Sequence, residues 1–166
     1  LRRMLVERCT RPGALHALPA AERNAMVVVA AYAPSSQGDA ALKAAIRDVA
    51  MTDRDLLVAS FPYTDPLDGS RSADAEEVNE AINRISSDMS HDERAYLETL
   101  EVRVREAGAE SSRDIGDFLL RVAHEEKASL IVIGLRHSAP VGRLMLGQTV
   151  KRLLLESPCP VLVTKD

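Results

Sequence analysis

The chain has 166 residues, of which 46% are hydrophobic and 28% charged, and its formal net charge at pH 7 is −4. This length suits one domain with a substantial core, and the composition is ordinary for a soluble globular protein. The negative charge, the aromatic content of 3% and the absence of tryptophan argue against a nucleic-acid partner. No apolar stretch approaches the roughly 18 residues that a membrane span needs, so we expect no membrane partner.

The cysteine content and the N-terminal residues bear on the cellular compartment. Cys9 and Cys159 are too few for a disulfide framework. Cys159 lies between two prolines before an apolar run, and we interpret it as a small hydrophobic side chain. Arg2 and Arg3 are not followed by the long apolar core of a secretory signal. We therefore expect a cytoplasmic protein.

Residues 1–25 differ in composition from the remainder of the chain. They are rich in arginine and contain Pro12, Gly13 and Pro19, which interrupt helices. We predict an N-terminal extension with one short helix at most. A dimer arm, a disordered tail and the product of a misplaced translation start are all compatible with it. The domain itself is predicted to cover residues 26–166.

A regular pattern of strands and helices begins at residue 26. Met26–Ala31 (MVVVAA) is an apolar run without alternation, which is typical of a strand buried on both faces. Asp39–Ala50 carries apolar residues at helical spacing, and Leu56–Ser60 (LLVAS) predicts a second buried strand. These segments indicate the first strand–helix–strand unit.

The stretch 62–74 interrupts this regularity. It is rich in Pro, Asp, Gly and Ser, and we predict a loop. Asp65, Asp68 and Gly69 partly resemble a calcium loop, but the alternating ligands are missing, so a turn is favoured over a metal site. Asp74–Met89 then predicts a helix with Asp74 as its N-cap.

The next segments predict a solvated turn, an edge strand and a helix. His91, Asp92 and Glu93 are neighbours in sequence, and such residues on a helix point in different directions, so we do not interpret them as metal ligands. Leu100–Val104 (LEVRV) alternates apolar and charged residues, as an exposed or edge strand does. Asp114–Lys127 predicts a helix with one apolar face.

The chain closes with strand, helix and strand. Ser129–Ile133 (SLIVI) predicts a buried strand, Thr149–Glu156 a helix and Pro160–Thr164 (PVLVT) the last strand. The helix is expected to turn three side chains inward: Val150, Leu153 and Leu154. Strands that alternate with helices predict an α/β fold with a mainly parallel sheet covered on both faces. Ligands of such sheets bind beyond the carboxyl ends of the strands.

The segment 134–149 (GLRHSAPVGRLMLGQT) carries the chemistry. It follows a buried strand and opens the last helix, and Gly134, Gly142 and Gly147 let backbone approach a ligand closely. The N–H groups and dipole of the helix start favour a phosphate. Arg136 either contributes positive charge to this site or is a solvated side chain without a role in it. The segment is neither a Walker loop nor a dinucleotide fingerprint. It predicts an anion site.

This segment and the end of the chain resemble the universal stress protein family. Members carry a loop of Gly, two residues, Gly, nine residues, Gly and then Ser or Thr, and they end close to "sPCPVLVV". Gly134 and Gly147 match the first and last glycines with the spacing kept, and residues 156–163 (ESPCPVLV) match the ending. The resemblance covers roughly residues 26–166. It is closest to a branch common in actinobacteria, whose loop is similar to GLRxRSPVGxLLLGS.

The resemblance implies a three-layer fold with a five-stranded sheet in the order 3-2-1-4-5. It also implies a homodimer through the last strand, Pro160–Thr164. In addition, we expect an unknown protein partner. Many members bind ATP, so the implied cofactor is ATP with Mg²⁺ or another adenine nucleotide, although other members bind none. The candidate nucleotide contacts are Tyr32, Ala33, Val58, Gly134, Arg136, His137, Gly147, Gln148 and Thr149.

Three departures from the family pattern affect nucleotide binding. His137 replaces the second loop glycine, as either a phosphate contact or a side chain packed at the rim of an unused site. Gln148 replaces the Ser or Thr. The aspartate that follows the first strand in ATP-binding members is Tyr32 or Ala33 here, and no carboxylate appears until Asp39. Each lost polar partner costs about 1–3 kcal/mol, so together they abolish ATP binding or shift the preference to another nucleotide.

Three functions remain open from the sequence. The first is a dimeric stress-response regulator or adaptor with an optional nucleotide, and the second is an interaction module that has lost its nucleotide. The third is an enzyme that hydrolyses ATP slowly or transfers nucleotidyl groups. The chain lacks the His-x-Gly-His signature of such transferases, a Ser-His-Asp set and a metal-ligand cluster. We therefore predict no catalytic residues and no metal site.

Overall fold

The computed structural model describes residues 26–65, 69–108, 114–135 and 147–165. The extension 1–25 and two candidate contacts, Arg136 and His137, lie outside the described residues. The elements in chain order are β1 (Val27–Tyr32), α1 (Ser36–Thr52), β2 (Asp55–Ser60), β3 (Tyr63–Asp65), β4 (Gly69–Arg71), α2 (Ala75–Ser86), α3 (His91–Leu97), β5 (Val102–Glu106), α4 (Ile115–Glu125), β6 (Ala128–Leu135), α5 (Gln148–Glu156) and β7 (Val161–Lys165).

The main sheet has five strands in the order β5-β2-β1-β6-β7. Every neighbouring pair in it is parallel. Counted among themselves, these strands have the order 3-2-1-4-5, which confirms the predicted α/β topology. The apolar run of β1 lies at the centre of the sheet, and β5 and β7 are the edges.

The two faces of β1 enter two separate parts of the core. Val28, Ala30 and Tyr32 pack with α1 and α2 on one face. The alternate residues, Val27 and Val29 among them, pack with α4 and α5 on the other face. Because helices cover both faces, each central strand is buried on both sides, and this explains its unbroken apolar sequence.

Side-chain caps define where four of the five described helices begin. The caps are Ser35, Asp74, Ser90 and Asp114, and each accepts a hydrogen bond from a backbone N–H of the first turn. The prediction of Asp74 as an N-cap is confirmed, and Glu77 completes a capping box with it. The fifth helix, α5, follows Gly147 and has no side-chain cap.

Two local predictions were wrong. Residues 62–74 are not entirely loop, because β3 and β4 pair antiparallel, with Tyr63 opposite Arg71. The paired residues, 63–65 and 69–71, stand on either side of residues 66–68, which lie outside the described part of the chain. Leu154 does not face inward and is 48% exposed. The buried stripe of α5 contains Val150 and Leu153, and the next position is rotated by roughly 100° from Leu153.

Two of the three residues at the start of α3 are solvated as predicted, whereas Glu93 is only partly exposed and pairs with Arg47 at 3.2 Å. His91 and Asp92 are exposed, and Glu93 accepts the backbone N–H of Ser90. No group of three potential metal ligands occurs in the part of the chain that the structure describes. Within the same part, no helix is both long and apolar enough to cross a membrane.

Candidate functional site

The strand order places a topological switch point, here called the crevice, at the carboxyl ends of β1 and β6. These two strands are neighbours and run parallel. The helix that follows β1, α1, packs on one face of the sheet, whereas α5, which comes after β6, packs on the other. The chain therefore winds in opposite directions from the two strands. Such a switch point is where open α/β sheets bind ligands.

Two glycines let the backbones around this crevice come into contact. A Cβ added at Gly134, near the end of β6, would overlap the carbonyl group of Gln37 in the first turn of α1. A Cβ added at Gly38 would overlap the carbonyl oxygen of Ala33. The start of α1 therefore lies directly against the ends of β1 and β6. Any side chain at either glycine would force these segments apart.

Ser35 determines where α1 begins at this edge. Its Oγ accepts the N–H of Gly38 at 3.1 Å and donates to the carbonyl oxygen of Ala33 at 3.1 Å. The N–H of Asp39 donates to the Ser35 carbonyl oxygen at 2.9 Å. The sequence pattern predicted this helix from Asp39, whereas it begins three residues earlier, at Ser36. The signal that could have found the true start is Ser35 itself, since serine is a preferred N-cap.

The start of α5 has the features of an anion seat. Gly147 is its N-cap with φ −59°, and no side chain among the described residues caps the first turn. Gly147 and Gln148 are exposed, Thr149 is half-buried, and the first turn carries no acidic residue. The first N–H groups of a helix have no partner within the helix, and its dipole favours negative charge. A phosphate can occupy this position without displacing a capping side chain.

Tyr32 occupies the end of β1, but its side chain belongs to the core. It is 1% exposed and packs on the α1–α2 face. Burial and the neighbouring Asp39 carboxylate raise the pKa of its phenol, and Arg84 acts in the opposite direction. Arg84 donates to both carboxylate oxygens of Asp39 at 2.9 Å, and this hydrogen bonding raises the pKa of the guanidinium. The first carboxylate after β1 is therefore already engaged by Arg84.

Two residues of β2, Val58 and Ser60, lie at different distances from the carboxyl end of the sheet. Val58 is fully buried in the α1–α2 part of the core and is level with Ala30, two residues before the end of β1. Its side chain is enclosed by protein. Ser60 is level with Tyr32 at the end of the strand. Its Oγ is buried and has no hydrogen-bond partner among the described residues. The sequence analysis did not select Ser60, because nothing local marks it as polar and unpartnered.

The structure brings together part of the predicted set. Ala33 and Gly134 both lie at the carboxyl end of the sheet. Ala33 directly follows β1, and Gly134 belongs to the neighbouring strand β6. Gly147, Gln148 and Thr149 open the helix that starts beyond β6. That these residues contact a ligand remains a prediction. The same holds for Tyr32 and Val58. The residues that sequence reasoning missed are Ser35 and Gln37, in the first turn of α1, and Ser60.

Comparison with known proteins supports this picture. The model of the universal stress protein family matches residues 24–165. A universal stress protein of Mycolicibacterium smegmatis is 33% identical over 143 residues, which are 84% of this chain and 97% of that protein.

Solved structures share the fold. A universal stress protein in complex with cAMP is 25% identical and has a TM-score of 0.54, with coverage of 84% of this chain and 95% of that one. A universal stress protein from Archaeoglobus fulgidus is 21% identical and has a TM-score of 0.55. Its coverage is 84% of this chain and 98% of its own.

Proposed function

The chain belongs to the universal stress protein family, and from this premise we propose that it is a stress-response regulator or adaptor that binds an adenine nucleotide. The nucleotide would occupy the crevice between β1 and β6. The observation that carries the proposal is the start of α5, which directly follows the glycine-containing segment and has no capping side chain. This helix start would receive the phosphate.

We propose that this nucleotide has one phosphate and is not magnesium-bound ATP. Asp39, the carboxylate in the first turn of α1, is held at both oxygens by Arg84. It is therefore not available to a metal ion or to a ribose hydroxyl without loss of that ion pair. The structurally similar universal stress protein that was solved with cAMP supports a ligand of this size. We accordingly propose AMP or cAMP as the preferred ligand.

Calorimetric titration of the full chain with cAMP, AMP and magnesium-bound ATP tests this proposal. We expect micromolar binding of a monophosphate. Gly147→Asp should weaken it at least about tenfold, since the new carboxylate would cap the helix N–H groups and repel the phosphate. Gly147→Ser is the control, because it adds a smaller capping side chain without charge, and this variant should bind the nucleotide more tightly than the aspartate variant.

The outcome decides between this function and the interaction module without a nucleotide. Thermal unfolding of each variant establishes that it is folded. The absence of heat with every nucleotide, from folded wild-type protein, would contradict the nucleotide proposal. Equal affinities of the aspartate and serine variants would place the phosphate elsewhere.

We also propose that the protein acts as a homodimer through β7. β7 is an edge of the main sheet, and Leu162 at its centre is 41% exposed. An edge strand with an exposed apolar side chain is a surface that pairs readily with another chain. The same proposal includes a cytoplasmic location and a protein partner. It includes no catalytic step.

A further inference from the structure

A groove lies beside β5, an edge strand of the main sheet. It has a volume of about 350 Å³ and is formed by one face of α2, by α3 and by the start of β5. Its apolar part consists of Ile82, Leu97, Leu100 and Val102. Its polar rim consists of Asn79, Asn83, Ser86, Arg94 and Glu98. The proposed nucleotide site uses none of these residues.

The surface around the groove is acidic. Five exposed carboxylates of α2, α3 and the segment before β5 make no ion pair among the described residues: Glu76, Glu80, Asp92, Glu98 and Glu101. The one cation of the rim, Arg94, is also exposed and makes no ion pair with any described residue. The other basic residue of these helices, Arg84, is already bound to Asp39. The groove therefore combines an apolar floor with an excess of negative charge.

The chain itself contains a segment of complementary chemistry. Residues 1–25 carry five arginines and two glutamates, a net charge of +3. Their first nine residues, LRRMLVERC, place Leu1, Met4, Leu5 and Val6 among three arginines. Apolar side chains suit the floor of the groove, and the arginines suit its acidic rim. Oppositely charged surfaces steer such encounters and determine their register.

The topology places this segment within reach. All strands of the main sheet are parallel, so β1 and β5 begin at the same end of it. Val28 is level with Leu56, and Leu56 is level with Val102 of the groove. Two strand spacings separate Val28 from Val102, which is about 10 Å. The segment 1–25 can extend to about 80 Å, so the first nine residues can reach the groove from Met26.

We propose that residues 1–9 bind in the groove between α2, α3 and β5 of the same chain. The leucine, methionine and valine side chains contact the apolar floor. Arg2, Arg3 and Arg8 pair with the surrounding carboxylates. Any protein partner that uses this groove must then displace the extension.

Paramagnetic labelling of the full chain tests this proposal, because Cys9 lies in the segment concerned. Cys159, the second cysteine, is half-buried against the α4–α5 side of the core, and Cys159→Ser leaves Cys9 as the one thiol. With a nitroxide on Cys9, we expect the amide signals of Asn79, Asn83 and Glu98 to lose intensity. Reduction of the nitroxide should restore them.

Charge reversals supply the controls. Glu98→Lys together with Glu101→Lys should reduce the loss of signal, as should Arg3→Glu together with Arg8→Glu. Glu106→Lys is the matched control, since it makes the same change at the opposite end of β5 and should have no effect. Added salt should weaken the contact, because exposed charges are screened.

Two results would overturn the proposal. One is that the amide signals of the groove residues keep their intensity, either because the loss occurs elsewhere or because no described residue loses signal. The other is a loss that appears when labelled chains without ¹⁵N are mixed with unlabelled ¹⁵N chains, which would assign the contact to a second copy. Neither result depends on nucleotide binding, so this test is independent of the calorimetry.

Discussion

At Gly134 an added methyl group would overlap the Gln37 carbonyl, whereas at Gly147 it would meet no atom of the described residues within 4 Å. The two glycines, which the sequence treats as equivalent ends of one loop pattern, therefore have different roles. Gly134 permits contact between β6 and the first turn of α1. Gly147 leaves the start of α5 open. A loss of ligand binding is consequently informative at Gly147 but is confounded by packing at Gly134.

Alanine substitutions should separate these roles. Gly134→Ala is expected to lower the free energy of unfolding by about 1–3 kcal/mol, since the new side chain overpacks a site bordered by backbone. Gly147→Ala should cost less than about 1 kcal/mol, because only the preference of the N-cap position is lost. Urea denaturation measures both. Equal losses at the two glycines would contradict the close approach of Gly134 to α1.

Among the elements, α4 and α5 are joined by one arginine. Arg152 of α5 donates to Asp114, the N-cap of α4, at 2.6 Å and to Glu156 at 3.2 Å, and it also pairs with Asp117. The backbone N–H of Asp117 lowers the pKa of Asp114 below its usual value of 3.8, and the charge of Arg152 acts in the same direction. This ion-paired cap links the helix after β5 to the helix after the glycine-containing loop.

The lowered pKa of Asp114 predicts a pH dependence of stability. Its contribution is present above the unfolded pKa of 3.8 and is lost as the pH falls through the lower folded value. Asp114→Ala should therefore lower the thermal midpoint at pH 7, and the difference from wild type should shrink at about pH 3. Asp114→Asn keeps a capping side chain and should lose less at pH 7. An alanine effect that is the same at both pH values would refute this account.

At the scale of the whole molecule, the open edge at β7 determines the expected assembly. Leu162→Arg places a charge at the centre of this edge, and an isolated charge is costly in an interface between strands. We expect wild-type protein to have twice the mass of one chain in light scattering at micromolar concentration, and the variant to have the mass of one chain. Met51→Arg, a change at a 75% exposed residue of α1, is the control and should remain dimeric. Monomeric wild-type protein would rule out the dimer.

The sequence by itself determined the order and type of the main elements. Apolar runs such as that of β1 and caps such as Asp74 act through residues a few positions away, so their signals are local. The segment that contains Gly134 and Gly147, together with the chain ending, was sufficient to indicate the family and hence the strand order. The candidate site could be predicted to this extent, as a helix start that follows a strand and a glycine-containing segment.

Only the tertiary structure decided how distant residues meet. Asp39 and Arg84 are 45 residues apart, and their pairing removes the carboxylate on which a ligand at β1 would depend. The contact of Gly134 with Gln37, the unpartnered Ser60 hydroxyl and the groove between α2, α3 and β5 also join separate elements. Local sequence patterns do not encode such contacts, because each depends on where the fold places two backbones. Leu154 was expected to be buried and is exposed, because it lies outside the buried stripe of α5 that contains Val150 and Leu153.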